Sequence, residues 1–303
     1  MCSLTKNNTS QHFKPSTIEL LMDTPILLYT ILFTIEDKPV HKNQYIQMFL
    51  IWISCIAKTK SLNENDSFVL IIDKYTLSYL RHETPLNQIF SMMKINCNYI
   101  INKQPKTIME GCMWKYNTFN EERLKIYNKN LIFYSDIDIM FHKSLKLLTN
   151  TMIPENIVIH EENAFLQVPD PKYYTEGIPQ EEIDKIIKFY VNNRGLSAGK
   201  FAIYGTSIAL DIFNRIIKYN TEQIKCGYTL EQPLFNRAVY NYFIDNSVKM
   251  IYNMNSSICH YDNLNNIYSN NYSIIMIDCC GEPGNSTEHM EKMINTMCIL
   301  NLL

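Results

Sequence analysis

"NLIFYSDIDIMFHKS", Asn130 to Ser144, decides how the rest of the chain is read. Its apolar run, Leu131 to Tyr134, has the length and β-rich composition of a buried strand. Two acids one residue apart, Asp136 and Asp138, close that run. Side chains i and i+2 of a strand point to the same side. Two carboxylates held on one face roughly 4–6 Å apart repel each other and raise a pKa unless a cation lies between them. A hard divalent ion that prefers oxygen ligands, Mn²⁺ or Mg²⁺, removes the conflict. The competing reading is an exposed turn carrying two solvated acids.

Working outward, apolar runs alternate with helical patterns. Strands are predicted at 26–35, 67–73, 97–101 and 130–136, with helices over 43–58 and 75–93 and mixed helical periodicity over 111–127. Short apolar strands separated by helices predict an α/β fold, a mostly parallel central sheet with helices on both faces. Ligands of such sheets sit at the carboxyl ends of the strands, where the acid pair falls. Beyond residue 140 the pattern is less regular. A strand at 156–164 and a helix over 179–193 are followed by the helical stretches "IALDIFNRIIKYN" and "TLEQPLFNRAVYNYF". "VKMIYN" and "SIIMID" read as late strands, and the end of the chain as a polar tail. No repeat or Pro/Gly/Ser linker divides it. The expected organisation is a polar N-terminal arm, 1–23, and one domain, 24–303.

Composition limits the classes. Of 303 residues 46% are hydrophobic and 19% charged, with a formal net charge of −2. Acids and bases are interspersed, so the basic stripe of a nucleic-acid partner is missing. The most apolar stretches, "PILLYTILFTI" and "IQMFLIWISCIA", fall short of the roughly 20 residues that span a bilayer, and the N-terminus lacks a signal-peptide core. No transmembrane segment and a cytoplasmic location are therefore expected. The nine cysteines show neither CxxC nor zinc-ligand spacing and read as reduced thiols.

Three enzyme classes use such an acid pair. Haloacid-dehalogenase-type phosphohydrolases need Thr or Val where Met140 stands, and a later GDxxxD pair that is not found. Polymerase-β-type nucleotidyltransferases match the "DIDI" signature but need a Gly-Ser turn upstream, where this chain has "YNKN". Metal-dependent glycosyltransferases place the pair in mid-domain after several α/β units, as here.

On these residues the chain resembles the GT-A superfamily of nucleotide-sugar glycosyltransferases, in particular its glycogenin-like and lipopolysaccharide-galactosyltransferase-like groups. Four more stretches carry the resemblance. "LLYTILFTI", with Thr30, looks like the first strand, whose end cradles the nucleotide base. "WKYNTFNEERL" resembles the helix with a basic residue ahead of the acid pair, Lys115 matching better than Arg123. "LSAGKFAIYGTS" resembles the segment whose small residues, here Ser197, Ala198 and Gly199, let backbone approach the donor sugar. "LEQPLFN" resembles the helix start whose Glu231 and Gln232 face the transferred sugar. The family's third metal ligand is a late histidine, and Asp278 stands there, with His260 the alternative. "GEPGNSTEH", including Gly284, resembles the pyrophosphate loop, to which His289 or Lys292 adds positive charge.

The resemblance implies a metal-dependent hexosyltransferase using Mn²⁺ or Mg²⁺. It would move a sugar from a nucleotide-diphosphate donor, UDP-linked above all, to a glycan or protein acceptor. An amide at position 232, where a carboxylate base would serve inversion, points to retention. The alternatives are a nucleotidyltransferase that makes a nucleotide sugar and an inactive carbohydrate-binding relative. Trp52 and Trp114 read as core, and His160, Glu161 and Glu162 as a solvated loop at the acceptor side.

Overall fold

The computed structural model describes residues 24–127, 131–149, 156–164, 172–189, 194–222, 231–248, 252–264, 274–281 and 285–302. The expected arm 1–23, and Gly284, lie outside them. Seven strands form the main sheet: β1 (Ile26–Leu32), β2 (Ser67–Asp73), β3 (Asn96–Asn102), β4 (Leu131–Ser135), β6 (Ile157–Ala164), β7 (Arg194–Tyr204) and β8 (Tyr252–Asn253). Their order is β3-β2-β1-β4-β7-β6-β8. Strands β5 (Ile139–Phe141), β9 (Ile258–His260) and β10 (Met276–Asp278) make a small second sheet in the order β5-β10-β9.

Alternation along β1 explains the layering. Ile26, Leu28 and Leu32 join one apolar cluster, and Leu27 and Tyr29 join another on the opposite face. Strand β2 is buried throughout, as a parallel strand covered on both sides must be. Helix Gln44–Thr59 covers one face with Phe49, Trp52 and Ile53. Helices Thr206–Glu222 and Gln232–Asp245 cover the other with Phe213 and Phe235.

Strand β4 is the seam of the sheet. It runs parallel to β1 on one edge and antiparallel to β7 on the other, with Tyr134 opposite Phe201 and Ser135 opposite Lys200. Chain reversal at this seam brings the end of β4 against the middle of β7. The small sheet adds a third wall, because Asp278 pairs in register with Ile139 on one side and His260 on the other.

Several expectations are corrected. The 75–93 helix is two, Lys74–Glu83 and Leu86–Met93, because Thr84 is extended (φ −139°, ψ 162°) ahead of Pro85. The 111–127 stretch lies in three short helices, Ile108–Cys112, Trp114–Asn117 and Glu121–Tyr127. The polar tail is a helix, Ser286–Ile299, that buries Met293, Thr296 and Met297 at helical spacing. A reciprocal cap opens it, Asn285 Oδ1 accepting from Glu288 N–H and Asn285 Nδ2 donating to Glu288 Oε2. Strand β6 matches the strand expected at 156–164 and carries Glu161 and Glu162 within it, where the other expectation is a solvated loop. The Ser197–Gly199 segment lies inside the eleven-residue strand β7.

Two ion pairs lock the frame. Lys146 Nζ lies 2.9 Å from Asp66 Oδ1, an oxygen that also accepts Ile26 N–H, while Asp66 Oδ2 accepts Asn63 N–H. Replacing Asp66 with Ala strips a buried ammonium of its carboxylate and two backbone donors of their acceptor. The expected loss is about 3–5 kcal/mol in urea-denaturation stability. Arg237 donates from Nε and Nη2 to Glu182 at 2.8 and 2.6 Å, joining helices Gln180–Phe189 and Gln232–Asp245. The Arg237 hydrogen bonds, opposed by partial burial, hold the Glu182 carboxyl below its usual 4.5. A depressed folded-state value gives stability that is present above pH 4.5 and lost as pH falls through the folded value. Glu182→Gln should therefore flatten the acid limb of a Tm-versus-pH curve.

Candidate active site

The acids of the Asp136-Ile137-Asp138 turn do not share a face by strand pleat. Strand β4 ends at Ser135, Asp136 follows it, and Asp138 stands in the turn that leads into β5. Burial of Ile137 between them, 8% exposed, turns both acids to the other side, into one cleft. That cleft, about 630 Å³, is also lined by Ser197, Gly199, Glu231, Gln232, Asp278 and His260.

Strand β7 holds the turn in place. Asp136 N–H donates to Gly199 O at 2.7 Å. A Cβ on Gly199 would come within 2.7 Å of Asp136 Oδ2, so any larger residue must push the carboxylate aside. Tyr134 OH donates to Asp136 Oδ1, and Thr30 Oγ1 donates to Ser135 O at 2.7 Å. Thr30 is fully buried and does not line the cleft; it braces the strand end from below. Ala198, 1% exposed, is likewise internal. Its N–H donates to Gln232 Oε1 at 2.8 Å.

Lys115 is the hub. Its Nζ lies 2.5 Å from Glu231 Oε1, 3.3 Å from Asp136 Oδ1 and 4.7 Å from the centre of the Tyr134 ring. Burial works against its charge, but Asp136 and Glu231 outweigh burial and hold the ammonium well above its ordinary value. Arg123, the second candidate, turns away and donates to Thr118 O. Glu231 is thus an ion-pair partner, and Gln232 a clamp, since its Nε2 donates to Leu196 O at 2.9 Å while Oε1 serves Ala198.

Asp138 has a different neighbour. His289 Nδ1 stands 3.2 Å from Asp138 Oδ2, and His289 Nε2 accepts Gly281 N–H at 3.0 Å. A nitrogen that accepts carries no proton, so the neutral ring is an Nδ1–H tautomer that donates to the carboxylate. Burial raises the Asp136 carboxyl, Lys115 lowers it and the Asp138 charge raises it, for a net rise from 3.8 to about 6. The donor set at this turn fits a hard divalent cation: two carboxylates in one cleft, one raising the other's pKa.

At the far end, Lys200 pairs with Asp278 at 2.6 Å, and His260 Nδ1 lies 3.8 Å from the same oxygen. Ligand atoms of His260, Asp278 and Cys280 lie within 4.8 Å of one another. His160 is 5% exposed and its Nδ1 has no hydrogen-bond partner. Burial and Lys200 push it from 6.5 down to about 3, so it is neutral at physiological pH. Sequence reasoning passed over Lys200, although a lysine inside an apolar strand is itself a signal, because a buried ammonium needs an acid.

The central, mostly parallel sheet flanked by helices is consistent with the GT-A fold. Among solved structures the chain is similar to the glycosyltransferase GlyE of Streptococcus pneumoniae TIGR4, at 10% identity and a TM-score of 0.51 over 92% of this chain. It spans 63% of the length of GlyE. It also aligns with the galactosyltransferase LgtC in complex with donor and acceptor sugar analogues, at 12% identity over 89% of this chain and 95% of that one, TM-score 0.47. Mouse xyloside xylosyltransferase 1 aligns at 9% identity over 86% and 97%, TM-score 0.48. No protein-family model and no curated protein matches the chain.

Gly199→Ala should displace the Asp136 carboxylate and cost about 1–3 kcal/mol of stability, the range for overpacking. Urea denaturation together with a crystal structure of the variant checks both.

Proposed function

We propose that the chain is a metal-dependent glycosyltransferase that moves a sugar from a nucleoside-diphosphate donor, UDP-linked in the first instance, to a glycan or protein acceptor. The observation that carries this reading is the convergence of Asp136, Asp138, Ser197, Gly199 and Glu231 on one cleft of a GT-A fold. Residues 24–303 form the catalytic domain behind the arm 1–23. No helix among the described residues is long and apolar enough to cross a membrane, in keeping with action in the cytoplasm.

Asp136 and Asp138 would hold Mn²⁺ or Mg²⁺. Bound there, the ion supplies Lewis-acid stabilisation of the charge that builds on the departing diphosphate. Lys115, fixed between Asp136 and Glu231, adds a permanent positive charge beneath the donor. Gly199 lines the wall of the cleft, and its missing side chain makes room for the Asp136 carboxylate, so its part in donor binding is to let that acid face the cleft. Ser197 offers a hydroxyl from the same wall. Gly284 belongs to this reading as a backbone donor to the diphosphate.

Glu231 is committed to Lys115 and is not a free general base. Gln232, with its amide spent on β7, presents a dipole and no carboxylate. Both features support retention of configuration, with an oxocarbenium-like transition state.

Asp136→Asn and Asp138→Asn should each lower turnover of a UDP-sugar by about a hundredfold or more, the scale set by losing one stabiliser of developing charge. EDTA should do the same to the native chain, and Mn²⁺ should restore it. The released product separates the readings: a nucleoside diphosphate marks a glycosyltransferase, and pyrophosphate from a triphosphate marks a nucleotidyltransferase. Binding without either product marks an inactive relative. Full activity of either variant in EDTA refutes the metal.

A further inference from the structure

Asp278 stands where the family resemblance places a metal-binding histidine, and the structure gives it a different partner. Its Oδ2 lies 2.6 Å from Lys200 Nζ, and its Oδ1 accepts Cys280 N–H at 3.0 Å. The Lys200 and Asp278 side chains are 5% and 2% exposed. They come from different sheets, Lys200 from β7 and Asp278 from the end of β10, and they meet in the wall of the cleft. Burial opposes the charge of Asp278, but the Lys200 ammonium and the hydrogen bonds it receives hold the carboxyl far below its ordinary range. Asp278, Glu162 and Asp138 in turn favour the charged form of Lys200 over the penalty of burial.

The same carboxylate belongs to the His260–Asp278–Cys280 group, whose ligand atoms are close enough to share an ion. Ammonium and dication therefore compete for one carboxylate. An ion seated on Oδ2 would meet the lysine charge at contact distance with little water to screen it, and like charges in a desolvated site repel strongly.

We propose that Lys200 is the resident cation at this end of the cleft, and that by neutralising Asp278 it keeps that residue from ligating the divalent ion. On the protein side the ion is then held by Asp136 and Asp138 alone. With two protein carboxylates in place of three ligands, the free protein would bind the ion weakly. This deepens the metal-dependent reading above and rests on it.

The test is Mn²⁺ binding to the full chain without donor, followed through the electron paramagnetic resonance signal of the free ion. Lys200→Met releases Asp278, His260 and Cys280 to an incoming ion, and Mn²⁺ should bind about tenfold tighter or better, within the range that ligand changes produce. The double variant Lys200→Met with Asp278→Asn removes both charges at once, a change that buried pairs tolerate better than loss of one partner. It should bind Mn²⁺ within about twofold of the native chain.

Mn²⁺ affinity unchanged in a folded Lys200→Met overturns the proposal. So does a tenfold loss in the double variant, which would make Asp278 a ligand in the native protein. Where Lys200→Met fails to fold, the double variant decides by itself. Failure of the underlying metal reading shows elsewhere: Asp136→Asn would then leave Mn²⁺ affinity untouched.

Discussion

Lys115 carries one positive charge in a place with almost no water, and three separate segments depend on it. Its own helix, Trp114–Asn117, lies ahead of β4; Asp136 closes β4; Glu231 precedes helix Gln232–Asp245. The ammonium contacts both acids, and Tyr29 OH, from the first strand, donates to Lys115 O at 3.0 Å. Without the lysine, the buried Glu231 carboxylate would lose its counter-charge beside a second acid, a state that costs more than a lost surface pair. The lysine thus fixes where the acid turn sits relative to the wall made by β7, and the shape of the cleft follows.

Four acids of the cleft, Asp136, Asp138, Glu231 and Asp278, face a basic side chain. Lys115 serves Asp136 and Glu231, His289 serves Asp138, and Lys200 serves Asp278. A site arranged in this way has its charges paired and aimed before any ligand arrives. It also divides the cleft. The Asp136–Asp138 end retains a repulsion between its two carboxylates, whereas Asp278 is paired with Lys200.

Legibility in the sequence followed the range of the interactions. The first strands could be read because parallel strands buried on both faces are continuous apolar runs, as "SFVLIID" is. The acid pair was legible as two charges closing such a run, but its geometry was not. The turn around Ile137, and not the pleat, brings the carboxylates into one cleft. Strand β7 was missed because its Ser-Ala-Gly core has low β-propensity; antiparallel pairing with β4 and β6 overrides it. The last helix was readable in principle, since Asn285 and Glu288 have capping-box spacing, yet polar residues around them disguised it as a tail. Partnerships such as Lys115–Glu231 and Lys200–Asp278 join residues far apart in sequence; a buried lysine signals that it needs an acid, but nothing local says which.

Trp52 is fully buried, and its indole N–H donates to Ile139 O at 2.9 Å, one residue past Asp138. The chain has only two tryptophans, and the second, Trp114, is the immediate neighbour of Lys115. One fluorophore is therefore hydrogen-bonded to the backbone beside the acids, and the other is the chain neighbour of the lysine that pairs with Asp136. The protein's ultraviolet emission is a built-in optical gauge of its own cleft, one that needs no dye and no label.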